Sequence, residues 1–220
     1  MCCLVFIFPG FLLFAAGCGG NGAVVPKKVA AHGKEKIAVL GFSAALGEND
    51  TPQVVRDPLS GVVFWAEPVP PAAVQEMTKE LFDRLMAQGD RNLMSPGQTT
   101  AAYASIDSGD VKLAMPQAKM LQEVGKALGA DLVLTGFIYQ WRERQGSAYA
   151  VTRAASVTFD LHLVRSTDGK VVWNGKFDKT QRPLSENILD LKTFLGGKGR
   201  WMTVKKLASL GLDRLLAEMP

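Results

Sequence analysis

Two neighbouring stretches in the second half of the chain constrain its fold more than anything else in it. Asp131-Leu132-Val133-Leu134-Thr135-Gly136-Phe137-Ile138-Tyr139 begins as an unbroken apolar run, the pattern of a strand covered on both faces. After a turn at Gln145-Gly146-Ser147, the segment 151–164 alternates instead. Val157, Phe159, Leu161 and Leu163 share one face, and Thr158, Asp160 and His162 share the other. Thr167-Asp168-Gly169 makes a hairpin turn, after which Val171, Trp173, Gly175 and Phe177 line one face of a further strand. A meander of this kind has to bury its apolar face under helices.

The flanking sequence supplies them. Lys36-Ile37-Ala38-Val39-Leu40-Gly41-Phe42 is a short buried strand. Pro70-Pro71 opens a helix on which Val74, Met77, Leu81, Phe82 and Leu85 recur at helical spacing, and Gly89 ends it. Asn92-Leu93-Met94 is a short strand. A second helix fits 117–128, with Leu121, Val124 and Leu128 inward and Gly129 as its stop. Helical sequence returns over 184–194 and 203–218, the latter with Val204, Leu207, Ala208, Gly211 and Leu215 inward. These elements predict an α/β (α+β) fold: a mixed sheet with helices packed against it over 36–180, and a C-terminal helical segment, 181–220, packed on that domain. The stretch 43–71 is polar and interrupted by proline, with one strand-like patch at Val62-Val63-Phe64-Trp65 that suits half of a small hairpin. Connections of this length inside compact domains usually have a job, so it is the first place to look for a binding surface.

The first seventeen residues carry no charge and hold an apolar core, broken by Pro9-Gly10, too short for a comfortable membrane span of about 20 residues. The core ends in Ala15-Ala16-Gly17-Cys18, followed by glycine-rich sequence. Small residues before a cysteine resemble the lipobox of bacterial lipoproteins. That resemblance implies a signal peptide over 1–17, cleavage before Cys18, acylation of Cys18 (diacylglycerol on the thiol, a palmitate-type chain on the amine) and a tether over 18–35. Two departures from the usual pattern are the missing basic segment at the start and Ala15 in place of leucine. An ordinary secretory signal or an uncleaved anchor is the alternative. The other cysteines, Cys2 and Cys3, fall in the leader, so the exported domain has no disulfide and depends on its packed core. Gly19 after the cysteine, with no Asp there, favours the outer membrane, periplasm-facing, over the inner one. The formal charge of +4 is mild, and export removes nucleic acid as a partner.

Three phrases carry a wider resemblance: Ile37-Ala38-Val39-Leu40-Gly41-Phe42; Gly129-Ala130-Asp131 with Leu134-Thr135-Gly136; and Leu163-Val164-Arg165 with Thr167-Asp168-Gly169-Lys170-Val171-Val172-Trp173. Together, over about residues 36–178, they resemble the TolB amino-terminal-like domains of periplasmic lipoproteins. That group includes the curli-secretion channel family and lipoprotein activators of penicillin-binding proteins. The resemblance implies a periplasmic α/β domain with a binding role: touching a partner enzyme or forming a secretion ring. A curli-type pore needs two amphipathic hairpins with roughly ten-residue alternating strands, and neither 43–71 nor 141–156 alternates in that way.

Catalytic constellations are thin. There is no Gly-x-Ser-x-Gly elbow, no His-Glu-x-x-His and no phosphate-binding loop. Of the two histidines, His32 lies in the tether. His162 with Asp160 and Thr158 marks either a solvated strand face or a polar site, and a zinc site there needs carboxylates for its other ligands. No catalytic residue, metal or cofactor is expected. The aromatic and basic residues Trp65, Trp141, Arg142, Arg144, Arg200 and Trp201 are the candidate interface, since aromatics and arginine are enriched in protein contacts. Of these, Trp141 sits where its strand turns polar and is the one expected to stand most exposed. The function expected is a lipid-anchored, non-enzymatic adaptor that binds an envelope protein or peptidoglycan-associated partner. A self-assembling ring (a homo-oligomer) and a carboxylate/histidine enzyme are the alternatives.

Overall fold

The computed structural model of the protein describes residues 35–107, 115–147, 151–181 and 201–220. The expected leader, Cys18 and its tether up to residue 34, the helical sequence at 184–194 and Arg200 lie outside the described residues.

The apolar run at 132 becomes β5 (Leu132–Arg142), and the alternating stretch becomes β8 (Ser156–Arg165). They pair antiparallel, and β9 (Val171–Thr180) pairs antiparallel with the other edge of β8. On the far side of β5 lie β1 (Lys36–Ala44) and β4 (Asn92–Met94), both in parallel pairing, so the five-stranded sheet has the order β4-β1-β5-β8-β9. The sheet is mixed, with helices packed on it, as expected.

One face is covered by α1 (Pro71–Gln88) and by the C-terminal helix α4 (Val204–Glu218). Pro71 stands at the start of α1, where a missing amide costs nothing, and Gly89 closes it in the left-handed conformation. Ala73, Met77, Leu81 and Leu85 form its buried stripe. Thr203 caps α4 by accepting from the Lys206 amide at 3.3 Å, and Val204, Leu207, Ala208, Gly211 and Leu215 point inward as the spacing predicts. Both helices share one apolar core with Val157, Phe159, Leu161 and Leu163. Two glycines permit this closeness. A Cβ on Gly41 would lie 2.3 Å from Thr78 of α1, and its φ of +86° is itself a glycine conformation. A Cβ on Gly211 would lie 2.5 Å from the Phe177 ring.

The opposite face is covered in pieces. At one end sit α2 (Pro96–Asp107) and α3 (Gln117–Leu128), over Ala38, Val133 and Val164. The apolar spacing does not predict α2: only Thr99 on it is buried, so it has no apolar stripe. At the other end lies a two-stranded hairpin, β2 (Gln53–Arg56) and β3 (Val63–Ala66), folded from the long polar stretch. Its inner face buries Phe64 and Ala66 with Leu46 and Tyr139, and the Phe64 and Tyr139 rings stack at 3.8 Å. A short pair, β6 (Gln145–Gly146) with β7 (Val151–Arg153), extends the β5–β8 hairpin. Among the described residues no helix is long and apolar enough to cross a membrane.

Candidate functional site

Between the two apolar clusters on the divided face lies a closed polar cluster. Asp160 and His162 project from β8 toward the hairpin, and Asp57 descends from the turn that follows β2. All three are buried, at 3%, 1% and 1% exposure, so the polar face of β8 is not solvated as one sequence reading had it. The reason is the hairpin, which folds down over that face instead of leaving it to water. His162 Nε2 is 3.1 Å from Asp57 Oδ2 and 3.2 Å from Asp160 Oδ2. Neither contact has hydrogen-bond geometry, and Nδ1 likewise lacks a partner among the described residues.

Each carboxylate is held in place by other groups. Asp57 accepts from the Leu59 amide at 2.9 Å, from the Ser60 amide at 3.1 Å and from the Ser60 hydroxyl. Asp160 accepts from the Phe137 amide at 3.0 Å and the Tyr139 hydroxyl at 2.8 Å. Burial alone would pull the His162 imidazole down, but the Asp160 and Asp57 carboxylates outweigh it and hold its pKa up at about 9. Burial would push Asp57 up, but His162, Ser60 and the Leu59 amide together take it to about 2. Burial, followed by the negative charge of Asp160, raises the Tyr139 phenol above its ordinary range. Ser60 donates to Asp57 rather than to His162, and among the described residues no hydroxyl is hydrogen-bonded to the imidazole. The cluster's composition, one histidine with two carboxylates, is what a metal site would need in a chain whose only other histidine is His32.

The expected interface residues separate into two groups. Trp65 stands on the outer face of the hairpin, 56% exposed, opposite Val54 at 62% and next to Val63 at 50%. Beside it a shallow cleft opens toward Gln140, Lys176 and Asp178. The second group is tied into the fold. A bulge between Ile138 and Gln140 shifts the alternation of β5, so Trp141 turns onto the α1/α4 core opposite Val157 rather than standing free. Arg142 pairs with Glu67 at 3.3 Å, and Arg144 donates to the Trp201 carbonyl at 2.9 Å. Trp201 is half-buried, and Arg200 lies outside the described residues.

A family model for the peptidoglycan-synthase activator LpoB matches residues 73–178. The match runs from the first turn of α1 into β9 and leaves β1, the hairpin and α4 outside it. It bears out the fold-level resemblance to periplasmic lipoprotein α/β domains that the strand phrases carry. No curated protein sequence matches. Several solved structures are similar, three of which follow. A PelC dodecamer from Paraburkholderia phytofirmans is 14% identical, with 88% of this chain and 94% of that one covered and a TM-score of 0.49. The LpoB C-terminal domain from Salmonella enterica is 15% identical, with 70% and 88% covered and a TM-score of 0.41. A lipoprotein from Neisseria meningitidis is 12% identical, with 74% and 93% covered and a TM-score of 0.41.

Proposed function

We propose that this chain is a periplasmic lipoprotein that binds, and thereby regulates, an enzyme of the peptidoglycan-synthesis machinery. The match of residues 73–178 to a family described as a peptidoglycan-synthase activator carries the reading. The arrangement of the polar cluster supports a binding role over a catalytic one, because its histidine is sealed from solvent, where a substrate would have no access to it. Residues 1–17 serve as signal peptide, Cys18 as the lipidated anchor in the outer membrane and 18–35 as tether, with the 36–180 domain and its 181–220 segment held in the periplasm. The outer face of the β2–β3 hairpin, with Trp65, Val54 and Val63, is the contact surface. Its role rests on exposure: three large apolar side chains grouped on one small sheet face are what an interaction site presents.

The test is photo-crosslinking of the full-length protein in living cells, with a photoreactive residue at position 65 and a control at exposed Lys79 on α1. One envelope enzyme captured from position 65 and not from 79 supports the reading. A ladder of self-products would replace it with the ring. Capture of no protein at either position would remove the adaptor reading altogether. The anchor is checked separately by Cys18→Ser, which should release the protein from the membrane fraction.

A further inference from the structure

We propose that Asp57, Asp160 and His162 bind a divalent transition-metal ion, for which zinc is the best match, and that the ion fastens the β2–β3 hairpin to the sheet. The ligand set joins two elements far apart in the chain, one residue from the hairpin turn and two from the central strand β8. Zinc takes histidine nitrogen and carboxylate oxygen at roughly 2.0–2.2 Å, so two ligands of one ion stand about 2.9–3.4 Å apart for angles between square and tetrahedral. The separations of 3.1 and 3.2 Å from Nε2 to the two carboxylate oxygens fall inside that range.

The second observation is the state of His162 Nε2. It belongs to a side chain 1% exposed, is aimed between two oxygens, and makes a hydrogen bond to neither. An ion held by all three atoms gives that nitrogen a partner without requiring a linear N–H···O contact.

Charge points the same way. Among the described residues Asp57 and Asp160 form ion pairs with His162 alone; Lys176, opposite Asp160 on β9, lies over the Phe64 ring and pairs with Asp178 instead. A neutral imidazole leaves two buried negative charges and a protonated one leaves a single excess charge, and uncompensated buried charge is expensive. A dication with a neutral imidazole balances the cluster. Calcium and magnesium are poorer matches, since they seek six or more oxygens or keep several waters, and this site offers one nitrogen among three protein ligands within a sealed space. The ligands are also held from behind, as metal-site ligands commonly are: Tyr139 and the Phe137 amide fix Asp160, while Ser60 and the Leu59 amide fix Asp57. The proposal does not depend on the adaptor reading.

The experiment uses full-length protein stripped by chelator, given zinc chloride, desalted and assayed for bound metal by mass spectrometry. About one zinc per chain should be retained, and Asp57→Asn and His162→Gln should each weaken binding by roughly tenfold or more. A His32→Ala variant, altered only in the tether, should retain zinc fully, which keeps the test open if the buried variants fail to fold. Stripped wild-type protein that retains no zinc overturns the proposal. So does zinc lost on His32→Ala, or retained equally by folded Asp57→Asn and His162→Gln.

Discussion

The two faces of the sheet are built on different terms. The α1/α4 face is one continuous apolar core that reaches from Ile37 to Phe177 and Met219. The other face is divided: a small cluster under α2 and α3, another under the hairpin, and between them the buried Asp57–Asp160–His162 group. A uniform apolar face contributes stability without specifying what lies against it in detail, whereas the divided face depends on a few polar contacts to hold a hairpin whose outer side is exposed. That contrast makes the first face the scaffold and the second the adjustable one.

The largest effect should come from the scaffold. Phe159 is fully buried, edge-on to Phe42 at 5.6 Å and tilted against Phe177 at 5.5 Å. Phe159→Ala should cost about 3–5 kcal/mol in urea unfolding, with both faces lost in one transition. If the hairpin side survived such a loss, the faces would be separate folding units rather than scaffold and dependent.

The divided face should respond to pH instead. In metal-free protein His162 is raised from 6.5 to about 9, so its contribution is complete below 6.5 and is lost as pH rises through about 9. Asp57 is lowered from 3.8 to about 2, so its contribution is complete above 3.8 and is lost as pH falls through about 2. The metal-free chain should therefore be most stable between those limits and lose up to a few kcal/mol on the alkaline side. Hydrogen exchange should show that loss first at residues 53–66. Zinc-loaded protein, with its imidazole neutral throughout, should lack the alkaline limb.

A smaller effect separates the two covering layers. Ser95 Oγ accepts from the Gln98 amide at 3.4 Å, and Gln98 Oε1 accepts from the Ser95 amide at 3.3 Å, a reciprocal cap at the start of α2. Ser95→Ala should cost about 1 kcal/mol and raise exchange in α2 and its neighbours, leaving α1 and α4 protected.

Sequence pattern and structure agree where a layer is uniform and part where it is not. The strand pattern of 157–163 and the stripe on α4 were legible because each faces a uniform apolar layer, where spacing and burial coincide. For α2 the apolar signal was missing, yet Ser95-Pro96-Gly97-Gln98 carried a capping signature that marks a helix start without any stripe. Trp141 was misplaced because a single-residue bulge reverses which side of a strand faces the core, and nothing local in the sequence announces it. The His–Asp cluster was half visible. Asp160 and His162 alternate on a strand with neighbours on both edges, where a polar pair needs a partner. Asp57, about a hundred positions earlier, has no sequence relation to them, and only the fold of the hairpin brings it there.

The smallest expected change in stability carries the most functional information. Trp65 pairs across the hairpin with Val54 and leaves more than half its surface in water, while Phe64 beside it anchors the hairpin on Tyr139. Trp65→Ser should therefore alter unfolding by about 0.5 kcal/mol or less, the ordinary range for a surface change. If the outer face is a contact surface, the same substitution should sharply reduce capture of the partner enzyme in cells, because buried aromatic anchors dominate interface energetics. A Phe64→Ala change would confuse the two effects by loosening the hairpin itself. A Trp65→Ser protein that is stable and still captures its partner at full yield would move the contact surface away from the hairpin. The divided face would then owe its exposed apolar side chains to something other than binding.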